Sequence, residues 1–323
     1  MPNDQFSIGT VLDPTVTRLA LAGLRATPKT LPPQLFYDEE GCRLFYRITG
    51  LPEYYLTRTE WSLLSGIALR IATAVPTGAV LVEYGASHEA KAARLLAARD
   101  RSGARVFASY VAIDVAAPAL QAMRTRLAIT SPDVAVHIIV GDFEQPVTLP
   151  ESLAGRPRLG FFPGSTIGNL DPAAAQRFLE LARDELGAGS QLLLGVDLRK
   201  PAAAVVPAYD DAAGVTAAFN RNLLVRLNRE AGADFEPFNF AHRAVWNDVE
   251  GRIEMHLVSR CDQVVRIAGE SIAFVEGETI HTENSYKFTP DAIRALAESA
   301  GWTLRDRWFD EARRYGMFLL AAC

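Results

Sequence analysis

The stretch GAVLVEYGASHEAKAARLLAARD (78–100) decides the fold, because a short apolar segment leads into an Ala- and Leu-rich run typical of a helix. RVFASYVAIDV (105–115) repeats the apolar segment, and a helical run from Pro118 to Ala128 follows it. Strands this short and this continuously apolar are expected where helices cover both faces of a parallel sheet. The stretch therefore predicts an α/β domain built on a doubly wound sheet.

The same alternation continues toward the carboxyl terminus. VAVHIIVGDF (134–143), RLGFFPGST (158–166) and SQLLLGVDL (190–198) predict further strands, with a helix from Asp171 to Leu186 before the last of them. A helix from Thr289 to Ala300 and two strands around WTLRDRWF (302–309) and GMFLLAA (316–322) close the chain. We therefore expect the sheet domain to span residues 64–199 and 286–323.

The remaining residues, 1–63 and 200–285, lack this alternation and predict a second lobe. Residues 14–76 indicate helices and loops, and Val215, Phe219, Leu223 and Leu227 form one helical stripe. Residues 240–286 alternate in the manner of antiparallel strands. This α+β lobe is expected to bind the substrate.

Composition narrows the class of ligand. With 323 residues and a net charge of −5, the chain lacks the basic surface that binds nucleic acid, so a small polar molecule is the expected partner.

Residues 1–8 lack the features of a secretory signal, and no apolar run has the length of a membrane span. Three widely spaced cysteines predict neither a disulfide framework nor a zinc site. A cytoplasmic monomer is expected.

Polar residues end the predicted parallel strands, at the edge where open α/β sheets bind ligands. Asp114 would bind a ribose diol, Asp142 an adenine amino group and Phe143 the adenine face. Neither a G-x-G-x-x-G nor a G-x-x-x-x-G-K-[ST] phosphate loop is present, which favours S-adenosylmethionine (SAM), a nucleoside without phosphate. Each residue also has a structural interpretation: Asp114 could be a helix cap and Phe143 a core residue.

FFPGSTIGNL (161–170) departs from an ordinary strand-to-helix turn in its series of small residues before an amide. One interpretation is that the small residues allow a ligand to approach the backbone beside the Asn169 amide. The alternative is a turn that caps the next helix.

Six motifs closely resemble the L-histidine Nα-methyltransferase family of ergothioneine biosynthesis. They are LPPQLFYDEEGCRLFYRITGLPEYYLTRTE (31–60), FFPGSTIGNLDP (161–172), LLLGVDLRK (192–200), AYDDAAGVTAAFNRNLL (208–224), RIEMHL (252–257) and HTENSYKF (281–288). The resemblance covers the chain from about residue 30 to its end. It implies a class I, Rossmann-like SAM-dependent methyltransferase fold and transfer of three methyl groups from SAM to the α-amino group of histidine, which gives hercynine.

The resemblance also implies the residues of the site. The implied cofactor contacts are Tyr37, Gly85, Lys91, Asp114, Asp142 and Phe143. The implied substrate contacts are Tyr54, Gly164, Asn169, Tyr209, Met255, Glu283 and Ser285, with the last two on the imidazole ring. Tyr37 and Asn169 are expected to act in catalysis through positioning, and Glu283 is expected to select the substrate.

Two departures from the family pattern leave alternatives open. Ser87 stands where the Glu-x-Gly-x-Gly loop of such enzymes has its second glycine, and Asn284 is more polar than expected. A methyltransferase for another amino acid, such as tryptophan or a histidine derivative, or a non-catalytic binding protein are the alternatives. No metal site is predicted, because the histidines are isolated in the sequence and Asp210-Asp211 is typical of a helix start.

Overall fold

A computed structural model describes residues 12–86 and 88–323, so the predictions for residues 1–8 and for Ser87 lie outside the described residues. The chain divides into two compact units. Unit 1 comprises Met1–Tyr54, Ala202–Asp248 and Ile253–Asn284, and unit 2 comprises Tyr55–Pro201, Val249–Arg252 and Ser285–Cys323.

The helices and strands follow the chain in this order: α1 (Pro14–Leu24), β1 (Lys29–Thr30), α2 (Glu39–Thr49), α3 (Tyr55–Thr73), β2 (Ala79–Tyr84), α4 (Ala90–Leu96), β3 (Phe107–Asp114), α5 (Ala117–Thr130), β4 (Ala135–Val140), β5 (Arg158–Phe162), α6 (Pro172–Leu186), β6 (Gln191–Asp197), α7 (Ala202–Val205), α8 (Val215–Glu230), β7 (Phe240–Asn247), β8 (Arg252–Ser259), β9 (Gln263–Ile267), β10 (Glu270–Phe274), β11 (Thr279–Tyr286), α9 (Pro290–Ser299), β12 (Trp302–Phe309) and β13 (Tyr315–Ala322).

Unit 2 contains a seven-stranded sheet in the order β12-β13-β6-β5-β2-β3-β4. Strands β2 to β6 are parallel, whereas β13 runs antiparallel to β6 and to β12. The chain winds outward from β2 to β4 and then returns to β5 on the other side of β2. This confirms the doubly wound sheet and puts its topological switch point between β2 and β5.

Helices cover both faces of this sheet, as its continuously apolar strands predict. Leu81 of β2 joins one buried cluster with side chains of α3, α4 and α5. Val80 and Val82 point to the opposite face and join a second cluster with side chains of α6 and α9. Successive residues of a strand point to opposite faces, so a strand buried on both sides must be apolar throughout.

Helix α6 begins and ends where its sequence predicts. The Asp171 carboxylate accepts a hydrogen bond from the N–H of Ala174 at 2.7 Å, and Pro172 occupies the first turn. Gly187 follows the helix with a φ of +83°. Since Asp171 caps this helix, the small residues of 161–170 do not supply the cap, whereas the turn in that interpretation does form.

The boundary predicted at residues 63/64 falls inside α3 and is corrected to Tyr54/Tyr55. The physical reason is burial: Leu64, Ile67 and Ile71 of α3 belong to a core cluster of the seven-stranded sheet, so the whole helix belongs to unit 2. Strand β1 was also absent from the sequence prediction. It has two residues and pairs in parallel with β11, a contact too short to produce a sequence pattern.

Unit 1 combines helices with a four-stranded sheet in the order β1-β11-β8-β7 and an antiparallel hairpin of β9 and β10. The predicted stripe on α8 is buried, and Phe219 stacks on Phe36 with ring centroids 4.4 Å apart. The carboxylate of Asp211 accepts from the N–H groups of Val215 and Thr216, as expected for an acid at a helix start. Within residues 12–86 and 88–323, no helix has the length and apolar content to cross a lipid bilayer.

Candidate functional site

The carboxyl ends of β2 and β5 meet beside Gly85. This residue has a φ of +72°, and its N–H donates to the carbonyl of Ile113 at 2.9 Å. A Cβ built on Gly85 would lie 3.7 Å from the ring of Phe143 and 3.9 Å from the Thr166 methyl group. The left-handed backbone therefore requires glycine here, while the space around it is not filled by protein backbone.

Asp114 ends β3 with a half-buried side chain. Its carboxylate accepts from the N–H of Ala116 at 2.8 Å, and burial raises its pKa above the usual value. Helix α5 has Ala116 as its cap residue and no side-chain cap, so the interpretation of Asp114 as a helix cap is wrong. Backbone N–H groups hold the carboxylate at the sheet edge.

Asp142 and Phe143 follow β4. The Asp142 carboxylate accepts from the N–H of Glu144 at 2.9 Å, which fixes the turn. The half-buried Phe143 ring packs edge-on against Phe162 at 5.3 Å and Phe178 at 5.7 Å. Phe143 thus belongs both to the margin of the core and to the neighbourhood of Gly85.

Lys91 and Gly164 share a partner that the sequence does not indicate. The carboxylate of Glu60, which is fully buried, forms an ion pair with the Lys91 ammonium group. It also accepts from the N–H of Gly164 at 2.8 Å. Gly164 has a φ of +77°, so its glycine is required by the turn itself. Lys91 reaches this edge of the sheet with its charge already balanced by Glu60.

Gly168 has a different reason to be glycine. A Cβ at this position would lie 2.7 Å from the carbonyl oxygen of Tyr286, closer than real contacts allow. The loop therefore packs directly on the end of β11. Asn169 follows, half-buried at the end of a 3₁₀ turn (Thr166–Asn169), and its amide has no hydrogen bond to another described residue.

The carboxyl end of β6 carries a buried polar cluster that the sequence analysis missed. Asp197 is fully buried and accepts from the Tyr55 hydroxyl at 2.8 Å, from Lys200 at 2.6 Å and from Lys287 at 3.0 Å. Its own N–H donates to Ser165 Oγ at 2.9 Å. Because Asp197 ends a strand just as Asp114 does, the same signal could have identified it.

This Asp197 cluster, defined as Tyr55, Asp197, Lys200 and Lys287, has two ammonium groups facing one carboxylate. Burial lowers the pKa of Lys200 to about 8, although Asp197 counteracts this. The Lys287 ammonium group also donates to Ser285 Oγ at 2.8 Å. The cluster thus links the loop of Asn169, through Ser165, to the predicted substrate contact Ser285.

A second buried carboxyl lies on β2, one residue before the strand ends. Glu83 accepts from the Tyr110 hydroxyl at 2.5 Å, and burial raises the pKa of its carboxyl to about 8. Lys91 partly offsets this shift, whereas Glu60 and Asp114 reinforce it. The edge of the sheet beside Gly85 is therefore rich in carboxyl groups.

Unit 1 gathers the predicted aromatic residues. The Tyr37 ring lies 6.0 Å from Phe45 and 6.2 Å from Phe219, both in edge-on orientations. Tyr54 packs edge-on against Phe45 and Tyr209, each at 6.4 Å, and it is 8% exposed. Aromatic rings in general can pack against apolar groups and attract cations.

Met255 and Glu283 lie on the neighbouring strands β8 and β11 of unit 1. Met255 is buried, and its carbonyl accepts from the Thr282 hydroxyl at 3.0 Å. Glu283 is half-buried, while Ser285 is buried and belongs to unit 2. The predicted imidazole contacts therefore lie two residues apart on a strand that passes from one unit to the other.

Two histidines that are isolated in the sequence come together in unit 1. His256 of β8 and His281 of β11 stack with centroids 4.7 Å apart, because their strands are neighbours. His256 Nε2 lies 3.1 Å from Glu254, so three side chains that can ligate metals form one group. The ligand atoms of Glu254, His256 and His281 all lie within 4.8 Å of one another.

The comparisons with known proteins agree over almost the whole chain. The model of a family described as "Histidine-specific methyltransferase, SAM-dependent" matches residues 16–322. The chain is 44% identical over 302 residues to the Histidine N-alpha-methyltransferase of Mycolicibacterium smegmatis, covering 92% of each chain. It is 28% identical to the 4-dimethylallyltryptophan N-methyltransferase of Penicillium roqueforti, covering 94% of this chain and 92% of the relative.

A larger relative and a solved structure extend this result. The chain is 32% identical to Ergothioneine biosynthesis protein 1 of Neurospora crassa over 91% of its own length, but it covers only 33% of that protein. The crystal structure of an S-adenosylmethionine-dependent methyltransferase from Clostridium acetobutylicum aligns with a TM-score of 0.51 and 9% identity, covering 87% of this chain and 98% of that one. At this identity, the structural match establishes the fold alone, which confirms the class I methyltransferase architecture.

Proposed function

Because this chain belongs to the family of histidine-specific, SAM-dependent methyltransferases, we propose that it methylates the α-amino group of L-histidine. The observation that carries the proposal is the family match over residues 16–322, together with 44% identity to a Histidine N-alpha-methyltransferase. We further propose that three methyl groups are transferred, which gives hercynine and begins ergothioneine biosynthesis. A non-catalytic binding role has no comparable support.

The edge of the seven-stranded sheet is suited to the cofactor. SAM, when bound, supplies an electrophilic methyl group on a sulfonium. We assign its ribose diol to Asp114, its adenine amino group to Asp142 and its adenine face to Phe143. Three features support this fit: the half-buried Asp114 carboxylate held by backbone N–H groups, the Phe143 ring at the margin of the core, and the glycine backbone at Gly85. Tyr37 and Lys91 complete the assignment.

We assign the two ends of histidine to different groups of residues. Asn169 and Tyr209, with Tyr54, would hold the amino and carboxylate groups, and Gly164 lets the backbone approach them. Support comes from the Asn169 amide, which has no partner among the described residues and can both donate and accept. Glu283 and Ser285 would hold the imidazole ring beside Met255.

Catalysis in this proposal depends on alignment rather than on a strong base. The substrate meets water before it binds, so water can remove the proton of its α-amino group before the amine is aligned. The chain's task is to hold the neutral amine on the line of displacement, a positioning role that we give to Asn169 and Tyr37. As methyl groups accumulate, the amine loses N–H donors, and the aromatic wall of Tyr37, Tyr54 and Phe219 would hold the resulting cation.

Mass spectrometry tests the function directly. Purified protein is incubated with SAM and a panel of free amino acids, and mass gains are followed together with S-adenosylhomocysteine. Histidine alone should gain three methyl groups. Methylation of a different amino acid with histidine untouched would keep the fold and cofactor but refute the substrate.

A second candidate is N-methylation of an indole amino acid. The observation that favours it is the 28% identity to a 4-dimethylallyltryptophan N-methyltransferase over 94% of this chain. The proposed pair of ring contacts argues for histidine, because indole provides an N–H for the Glu283 carboxylate but no acceptor for the second contact. Tryptophan and its prenylated derivative therefore belong in the same panel.

The remaining expectations concern location and assembly. We propose a cytoplasmic monomer that acts on small molecules and binds no nucleic acid, consistent with the net charge of −5. Light scattering after size exclusion would test the monomer, since a dimer would double the mass of 35.2 kDa.

A further inference from the structure

The four-stranded sheet of unit 1 brings together three side chains that can ligate a metal ion: Glu254, His256 and His281. Glu254 and His256 lie two residues apart on β8, so they point to the same, half-buried face of the strand. His281 belongs to β11, the neighbouring strand. All three residues belong to unit 1, so the group is complete within one compact unit.

The hydrogen bonding of His256 is incomplete in either tautomer. Its Nδ1 atom is buried and has no hydrogen-bond partner in the described part of the chain, while its Nε2 atom lies 3.1 Å from Glu254 Oε2. If Nε2 carries the proton, it donates to Glu254, and Nδ1 is a buried acceptor without a donor. If Nδ1 carries the proton, this buried donor has no acceptor, and Nε2 and the carboxylate face each other as two acceptors. A cation between two such acceptors satisfies both.

His281 and Glu254 have the outer contacts that orient metal ligands. His281 Nε2 lies 3.1 Å from the carbonyl oxygen of Glu283, which can only accept, so Nε2 carries a proton and Nδ1 of the neutral ring keeps its lone pair. The Glu254 carboxylate accepts through Oε1 from the Asn247 amide at 3.0 Å. In metal sites, ligating histidines donate their other N–H to a carbonyl or carboxylate, and ligating carboxylates are themselves hydrogen-bonded.

From this arrangement we propose that Glu254, His256 and His281 bind a divalent transition-metal ion. Two imidazoles and one carboxylate suit Zn²⁺ and its neighbours in the first transition series, whereas Mg²⁺ and Ca²⁺ prefer oxygen ligands. Ligand atoms around a tetrahedral Zn²⁺ ion lie about 3.3 Å apart, since the bonds measure roughly 2.0–2.1 Å. The atoms of Glu254 and His256 are already 3.1 Å apart, and a shift of the half-buried His281 ring toward them completes three positions. Water would occupy the fourth.

The ion would connect β8 and β11, which stack His256 on His281 with ring centroids 4.7 Å apart. No metal site is predicted from the sequence, because these two histidines are distant along the chain and meet only when the strands pair. Binding of the ion is independent of methyl transfer. The tests therefore need a folded protein but not an active enzyme, and their outcome is separate from that of the proposed function.

Calorimetric titration with Zn²⁺ tests the site. The full chain, expressed without a polyhistidine tag and stripped with a chelator, should bind one Zn²⁺ ion and no Mg²⁺. His281→Phe preserves an aromatic ring and Glu254→Gln preserves the side-chain shape. Each should weaken Zn²⁺ binding at least about 100-fold, because loss of an outer partner alone costs roughly 10- to 100-fold.

His88→Ala is the matched control for this titration. His88 is exposed and lies 3.9 Å from the Glu89 carboxylate, but it belongs to no group of three metal-ligating side chains within residues 12–86 and 88–323. Its removal should change the affinity for Zn²⁺ less than about 3-fold. Absence of Zn²⁺ binding to the unaltered protein, or binding that His281→Phe and Glu254→Gln leave unchanged, would overturn the proposal.

X-ray absorption at the zinc edge examines the unaltered protein and so avoids variants that fail to fold. Its fine structure separates nitrogen and oxygen ligands at roughly 2.0–2.1 Å from sulfur at about 2.3 Å, and scattering within imidazole rings counts the histidine ligands. We expect two imidazoles and no sulfur. A single imidazole, or a sulfur ligand from Cys42, Cys261 or Cys323, would overturn the proposal.

Discussion

Asp114 and Asp197 occupy equivalent places in one sheet and have opposite surroundings. Each is the last residue of a parallel strand. Asp114 is half-buried and accepts from the backbone, whereas Asp197 is fully buried and accepts from a phenol and two ammonium groups. The first carboxylate retains capacity for a ligand, and the second is used by the protein to hold other residues.

The difference teaches that a carboxylate at the end of a strand can serve a binding site in two ways. A group such as Asp114 acts by direct contact, so its loss should affect ligand affinity more than folding. A group such as Asp197 acts by fixing Lys287 and the loop of Ser165, so its loss should affect folding and positioning together. Four experiments can break or sharpen this contrast.

The largest effect is expected for Asp197→Asn. This change leaves the ammonium groups of Lys200 and Lys287 buried without a carboxylate, which should lower the free energy of unfolding by about 3–5 kcal/mol. Urea denaturation measures the loss. The identical substitution at the matched position, Asp114→Asn, should cost less than about 1 kcal/mol. Equal losses for the two variants would remove the distinction.

Asp114→Asn should instead weaken SAM binding. Replacing a carboxylate that accepts from a ribose diol removes a charge-assisted contact, so we expect the Kd to rise about 30- to 100-fold. Isothermal titration calorimetry with SAM provides the value. An unchanged Kd in a folded variant would remove Asp114 from the cofactor site.

The pH dependence of stability should reveal Lys200. Its pKa falls from 10.5 to about 8 on folding, so between these values the unfolded chain holds a proton that the folded chain has lost. The free energy of unfolding should therefore rise with pH across this window, by on the order of 2 kcal/mol relative to Lys200→Met. Urea melts of both proteins at pH 7.5, 8.5 and 9.5 provide the comparison. If the free energy of unfolding changed with pH equally in both proteins, the lowered pKa of Lys200 would be contradicted.

The smallest effect is expected for Gly85→Ala. The position has a φ of +72° but open surroundings, so the cost should be about 1 kcal/mol of backbone strain. Gly195 of β6 provides the contrast near Asp197. There an added Cβ would collide with the buried carboxylate of Glu60 and the Tyr315 hydroxyl, so Gly195→Ala should cost about 2–3 kcal/mol. Thermal unfolding of the two variants tests whether Gly195→Ala is the more destabilising. A larger loss of stability for Gly85→Ala would contradict this prediction.

The sheet of unit 2 was predictable because its strands are buried on both faces. Such strands are continuously apolar, and the helices between them repeat their apolar residues every three to four positions. Both patterns are therefore visible in the sequence. The boundary at α3 was missed because a helix that packs on a sheet has the same apolar stripe as one that packs on other helices. Strand β1 was missed because two residues cannot show a period.

The order of the proposed cofactor residues along the sheet was predictable from the sequence, whereas their contacts with SAM stay a prediction. Asp114, Asp142 and Phe143 follow parallel strands in order, and the topology brings the ends of those strands to one edge. Lys91 shows the limit of this approach, because its buried partner Glu60 is 31 positions away in the sequence and belongs to α3. No local pattern links two residues that meet only when the helices dock.

By itself, the sequence determined the parallel sheet, the order of its strand ends and, through long motifs, the family. These properties depend on local periods and on residue identities, which a chain carries whether or not it is folded. Only the tertiary structure decided which polar residues remain available to a ligand and which are consumed in buried pairs. The physical reason is that availability depends on burial and on partners distant in sequence, so Asp114 and Asp197 look alike in the chain and differ only after it folds.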